Sequence, residues 1–367
     1  MLLPIDIAGM GIWDKVMNHR CPKRVVTLIN KIRSTVDKQV QRPRMNSGEG
    51  LVRFFIFPSD ADDKPAIERA VAKKMASLTS DGLWERQEEI KCLTLEHRMA
   101  ARRMHFLEMF APLHNIESFR TGLLDGTLPL VVFFSSNVLP LVLAHNQNDK
   151  FLIARIVRER SPLLTSTKLE QANSPGAVLD EAQAAVNALM ALWHAGKSPR
   201  FLDVLESVNA TGLFAIPDSL LPSIAPGNNG PAANDDDESA DPPSEVAVAI
   251  DEFLSSPFSQ LEAYVKYVSG LAPFDTHQGV KGREFPRVMV IMDDNEARGF
   301  TFKFDKLFGS ADVGDKTVEA TKRLLYVTCS RAEKSLVLIG YTGNPSQIRN
   351  NVLRDGWFSD EEAQVGL

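Results

Sequence analysis

The sequence predicts an α/β protein in which a parallel sheet flanked by helices is split, along the chain, by a mostly helical insertion. Three observations carry this. Strand-like and helix-like segments alternate over residues 15–110, the rhythm of a parallel α/β sheet. Val288–Met292 is a near-continuous apolar run, the pattern of a strand buried on both faces. Between them, residues 111–255 lose the alternation, and it returns over 256–345. The expected divisions are therefore a lead-in (1–14), a first sheet segment (15–110), a helical insertion (111–255), a second sheet segment (256–345) and a tail (346–367).

Element by element, Cys21–Arg33 spaces Val25, Val26, Leu28, Ile29 and Ile32 as one helix face, with Pro22 suited to its start. Leu51–Phe57 is a β-branched and aromatic run closed by Pro58, hence a strand. Lys64–Leu78 reads as an amphipathic helix, Ile90–Leu95 as a short strand and Arg98–Phe110 as a basic helix. In the middle region Leu128–Phe134 and Val138–Ala144 are apolar runs, and Asp149–Arg160 and Leu179–Ala195 are helical. Residues 217–243 are rich in Pro, Gly and acids, bury too little apolar surface to fold, and are expected to be a disordered loop. Ser259–Val268 and Val318–Arg331 are helical, Ser335–Tyr341 is a strand, and the tail holds a short helix with Trp357 and Phe358 available for packing.

Composition narrows the class. At 367 residues, 44% hydrophobic and 24% charged, the chain can bury a core of two or three domains. It contains no run of about 18 apolar residues, so no spanning helix and no membrane partner are expected. Three well-separated cysteines (Cys21, Cys92, Cys329) form neither a disulfide framework nor a zinc site, which points to a cytoplasmic setting. The net charge of −6 hides an asymmetry: residues 230–252 carry eight acids and no Lys or Arg, so the remainder is mildly basic. A stripe of eight bases in Pro22–Arg53 can attract a polyanion or simply form a solvated helix face.

Three segments combine fixed cations or short polar clusters with the ends of regular elements. They are Asn18-His19-Arg20-Cys21, Thr276-His277-Gln278-Gly279-Val280-Lys281-Gly282-Arg283-Glu284-Phe285, and Arg323-Leu324-Leu325-Tyr326-Val327-Thr328-Cys329-Ser330-Arg331-Ala332. An Arg at such a terminus can set its planar fork against phosphate oxygens. Gly279 and Gly282 let backbone approach a ligand closely. Taken singly, each is as readily structural.

In this order the three resemble motifs IV, V and VI of superfamily 1 DNA helicases of the UvrD/Rep/PcrA family, whose patterns read approximately NYRS, TxHxxKGxEF and RLLYVxxTRA. The resemblance implies a RecA-like, P-loop-NTPase-type second motor domain with an inserted, mostly helical accessory domain. It implies catalytic roles for Arg20 and Arg331 at the γ-phosphate of ATP, with His19, Gly282 and Glu284 completing the nucleotide contacts. Glu284 resembles the carboxylate that accepts from the ribose. Thr276, His277, Gln278 and Lys281 fall in the loop that contacts single-stranded DNA. His19 replaces the Tyr that stacks on adenine, Gln278 the usual His, and Arg283 a common Leu.

Gly196-Lys197-Ser198 imitates the end of a P-loop, but Ala191 stands where the first glycine belongs and an Ala-rich helix precedes it. A helix-ending glycine is the better reading. Val288–Asp294 imitates a Walker B strand, with Asp293 and Asp294 read as its polar exit. No GxxxxGK[ST] occurs. ATP with Mg²⁺ would then need a first motor domain, in trans or on a longer parent chain, that supplies the metal ligands. The resulting expectation is the second half of a 3′→5′ DNA helicase, inactive alone. A non-catalytic single-stranded-DNA-binding or regulatory module on the same fold is the alternative, and a split or truncated gene a third.

Overall fold

The computed structural model describes residues 16–34, 39–171, 174–224, 244–276, 279–297, 303–309 and 316–367. The chain divides into two compact units, Met1–Ala100 with Pro273–Leu367, and Ala101–Ala272.

In the first unit, strands β1 (Met17–Asn18) and β2 (Arg42–Pro43) form a two-residue parallel pair. Strands β3 (Leu51–Pro58), β4 (Lys91–Thr94), β5 (Phe274–Thr276), β6 (Phe285–Asp293), β7 (Ala332–Thr342) and β8 (Ala363–Val365) make one sheet, ordered β5-β4-β6-β7-β3-β8 and parallel throughout. Val288–Met292 and Leu336–Ile339 are essentially inaccessible, as expected of central strands covered on both faces. Helix Lys23–Arg33 buries the five apolar residues picked out by their spacing and ends in Lys31 and Arg33, which suit the negative end of its dipole. Helix Lys64–Thr79 starts where Asp63 accepts from Ala66 N and stops at Ser80, whose φ of 52° is left-handed.

The second unit is almost wholly helical among its described residues. The basic stretch Arg98–Phe110, expected as one helix, is two: His97–Arg103 and Leu107–Asn115. His105 at φ 59° breaks the turn, so the apolar residues beyond it restart on a new axis. Helix Pro175–Met190 likewise ends before Ala195 and gives way to a 3₁₀ turn. Part of the segment expected to be disordered is ordered: Asp218–Ile224 forms a 3₁₀ helix that buries Leu220. The acidic run itself lies outside the described residues. Glu117–Asn146 is long and apolar enough to cross a bilayer, and more than half of its most apolar window is buried. Gly126 (φ 70°) ends one helix within it and Pro129 opens the next.

The tail departs most from expectation. Beyond helix Pro345–Arg354, with Trp357 and Phe358 buried, it adds β8 to the sheet edge beside β3. Arg24 holds it, donating Nε and Nη2 to Glu362 at 2.6 and 2.7 Å and Nη2 to Trp357 O at 3.0 Å.

Candidate functional site

The turn before helix Lys23–Arg33 is built by one side chain. Asn18 Oδ1 accepts from the backbone N–H groups of Arg20 (2.9 Å) and Cys21 (2.8 Å), fixing where Arg20 leaves the chain. Asn18 Nδ2 donates to Gln41 Oε1 at 2.8 Å. Gln41 is pinned in turn by Asn30, which exchanges two 2.8 Å bonds with its backbone, and donates Nε2 to Tyr326 OH at 3.0 Å. The Arg20 turn and the Tyr326 helix are thus joined by a short polar chain. Pro22 lies against Gly50, whose φ of 73° and close approach leave no room for a side chain.

Arg20 points across to the segment before β6, where its Nε meets Glu284 Oε2 at 2.6 Å. The pair is half-exposed, at 33% and 47%. Cys21 is buried beside it, its Sγ donating to Ser330 O at 3.4 Å, and burial pushes its thiol up to about 11. Such a thiol is inert.

Arg331 is 8% exposed and turns inward. Its Nε donates to Val327 O (2.9 Å), Nη1 to Val280 O (3.3 Å) and Arg283 O (3.1 Å), and Nη2 to Ser330 Oγ (3.0 Å). A guanidinium has five N–H donors, so most are engaged. Burial first, and then the charge of Arg20, lower its pKa. Arg20, Glu284 and Arg331 therefore share one electrostatic neighbourhood, at the amino ends of adjacent strands β6 and β7.

The loop entering β6 has its own brace. Asp275 Oδ1 accepts from Thr276 N at 2.8 Å, and Oδ2 lies 3.2 Å from Lys91 Nζ and 3.9 Å from Arg283 Nη1. Gly279 is pressed against the same carboxylate, where a Cβ would collide. Burial pulls the Lys91 pKa down while Asp275 opposes it. Lys91 and Arg283 both sit over the Phe285 ring, at 5.5 and 5.4 Å. Gly282 adopts φ 79°, the left-handed value its position needs, and Lys281 is exposed.

His19 is exposed next to Arg20. His277 and Gln278 lie outside the described residues. Thr276 is 1% exposed, and its Oγ1 has no hydrogen-bond partner among the described residues. The register pairs Thr276 with Thr94 and Thr94 with Ile291, so Thr276 sits roughly 20 Å along the sheet from the start of β6. The structure brings Arg20, Glu284 and Arg331 together and keeps Thr276 apart.

Sequence reading did not single out Gln41, Asn30, Lys91 or Asp275. Only Lys91 carried a signal, as a charge opening an otherwise apolar strand. Both imitations of nucleotide motifs have structural explanations. Gly196 (φ 72°) follows a 3₁₀ turn rather than a strand. Asp293 is fully buried, accepts from Asn295 N and Glu296 N, and meets Lys64 Nζ at 2.6 Å. Asp294 accepts from Phe304 N and Asp305 N, both at 3.1 Å. Among the described residues no three His, Cys, Asp or Glu side chains are grouped to hold a metal ion.

No protein-family model matches the chain. It is similar to the Gabija protein GajB of Bacillus cereus (strain HuB5-5), at 24% identity over 362 residues covering 90% of this chain. The chain spans about half the length of that relative, 49%.

Proposed function

We propose that this chain is the C-terminal portion of a UvrD-like, ATP-dependent DNA helicase: a cytoplasmic, RecA-like second motor domain with a helical accessory insertion. The observation that carries the reading is the meeting of Arg20, Glu284 and Arg331 at the amino ends of β6 and β7. In open parallel sheets a domain's own ligand sits outside the carboxyl ends of the strands. Cations gathered at the opposite ends suit a triphosphate held by another domain, where Arg20 and Arg331 stabilise charge on the transferring phosphoryl group. Glu284 accepts from the ribose, and His19 flanks the base. His277, Gln278 and Lys281 contact single-stranded DNA without reading its sequence, while Thr276, buried at the end of β5, anchors the start of that loop. The distance of Thr276 from the arginines fits separate nucleotide and DNA surfaces joined by one loop. The motif resemblance supports a partner domain that holds ATP and Mg²⁺.

The test is reconstitution. Mixed with the separately produced first motor domain of a UvrD-like helicase, the chain is expected to restore DNA-stimulated ATPase, and Arg20→Ala to abolish it. Restoration that survives both Arg20→Ala and Arg331→Ala would reject the proposal.

One observation favours a second reading, a non-catalytic single-stranded-DNA-binding module: most Arg331 donors are already taken by protein acceptors. Oligonucleotide binding unaffected by ATP, with no restored ATPase, would select it.

A further inference from the structure

We propose that Glu284 and Arg20 compete with nucleotide for each other, so that a ribose engaging Glu284 is what frees Arg20 for phosphate. This rests on the reading above, in which both residues touch the same nucleotide.

The two arginines are held in different ways. Arg331 gives its hydrogen bonds to three carbonyls and a hydroxyl and is nearly inaccessible, so its charge is fixed in place without being neutralised by an anion. Arg20 instead faces a carboxylate at 2.6 Å, and that carboxylate belongs to the loop entering β6, far away in sequence. A guanidinium paired with a carboxylate attracts phosphate less, and a carboxylate oxygen bonded to a guanidinium is a poorer acceptor for a sugar hydroxyl. Each group therefore masks the other's nucleotide contact. Half-exposed ion pairs contribute little free energy, so this one is weak enough for a ligand to exchange. A fully buried pair would be a lock; this pair is exchangeable.

The site should accordingly distinguish a triphosphate carrying a ribose from a bare one. ATP engages both partners at once, whereas inorganic tripolyphosphate must separate Arg20 from Glu284 with nothing to offer the carboxylate. Glu284 acts here as a specificity residue through its hold on Arg20.

The experiment is calorimetric titration of the full chain, mixed with the first motor domain of a UvrD-like helicase and without DNA, with ATP and, separately, with sodium tripolyphosphate, the first domain alone serving as the blank. The variants are Glu284→Gln, Glu284→Asp, Arg20→Ala and the Arg20→Ala/Glu284→Gln double. Glu284→Gln is expected to bind tripolyphosphate about two- to five-fold more tightly, the range for releasing an exposed pair, and ATP more weakly. Opposite signs for two ligands cannot come from damaged folding. Glu284→Asp, which keeps the charge, should restore the preference for ATP, and the double variant should lose the gain. If wild type binds tripolyphosphate through Arg20 and Glu284→Gln leaves that affinity unchanged or lower, the competition is refuted while the phosphate role of Arg20 stands. If neither ligand responds to Arg20→Ala, or no variant binds either, the underlying reading fails with it.

Discussion

Lys64 Nζ lies 2.6 Å from Asp293 Oδ2, and the carboxylate it meets, at the carboxyl end of β6, is fully buried. The ammonium is the counter-charge of an anion that water does not reach. Lys64→Met should cost about 3 kcal/mol in urea denaturation followed by circular dichroism. Adding Asp293→Asn should recover part of it by removing the uncompensated charge. A loss below about 1 kcal/mol would mean the pair behaves like a surface one.

Burial pushes the neighbouring Asp294 up to about 6, against the opposing N–H groups of Asp305 and Phe304. An acid raised on folding keeps its proton where the unfolded chain has lost it, so stability falls as pH rises from about 4 to about 6 and is flat above. Relative to Asp294→Asn, wild type should lose about 2 kcal/mol across that window. Urea midpoints taken at half-unit pH steps would show it, and parallel curves for the two proteins would dismiss it.

The Arg24–Glu362 pair latches β8. Burial alone would raise the Glu362 pKa, but the bonds from Arg24 and Ser359 N hold it below the usual carboxylate value. Its contribution is therefore present above that ordinary value and is lost as pH falls through the lowered one. Arg24→Ala should cost about 2 kcal/mol. Hydrogen exchange should report it first at Phe54 N and Gly366 N, which donate to Glu362 O and Ile56 O across this edge. Unchanged protection at those two amides would contradict the latch.

Gly50 combines φ 73° with contact against Pro22. Gly50→Ala should lower stability by about 2 kcal/mol, part from left-handed strain and part from displacing Pro22. Because Pro22 follows the Arg20 turn, the variant should also weaken tripolyphosphate binding. Thermal melting and titration check the two effects separately.

For DNA, anisotropy of a labelled oligonucleotide across a salt series should give a log–log slope that becomes shallower by about 0.7 in Lys281→Ala, the value for one phosphate contact on a single strand. An unchanged slope would remove Lys281 from the interface.

Much of the sheet was legible because its signals are local. Val288–Met292 and Leu51–Phe57 are apolar runs bounded by turn residues, and helix Lys23–Arg33 declares its face through spacing. What stayed hidden depends on contacts distant in sequence. Strand β8 is three residues with a Gln at its centre and exists because β3 offers an open edge and Arg24 a clasp. The break at His105 and the turn at Asp218–Ile224 follow from packing, which composition does not encode. At the candidate site, the motif spacing marked Arg20, Glu284 and Arg331, but nothing local announces that Arg331 turns to carbonyls while Arg20 turns to Glu284. Gln41 and Asp275 matter only through partners that three-dimensional structure supplies.

The strand order carries a consequence for how the protein is made. Leu51 pairs with Ser335 and Phe54 with Ala363, while Cys92 pairs with Phe274 and Met289. Neither of the strands synthesised early, β3 or β4, has an early partner in the main sheet. At about 5–20 residues per second, their apolar edges wait on the order of tens of seconds while the helical unit between them emerges from the ribosome. Nascent-chain protection thus becomes a requirement written into the topology, and a cell short of chaperones should lose this protein to aggregation before its neighbours of simpler connectivity.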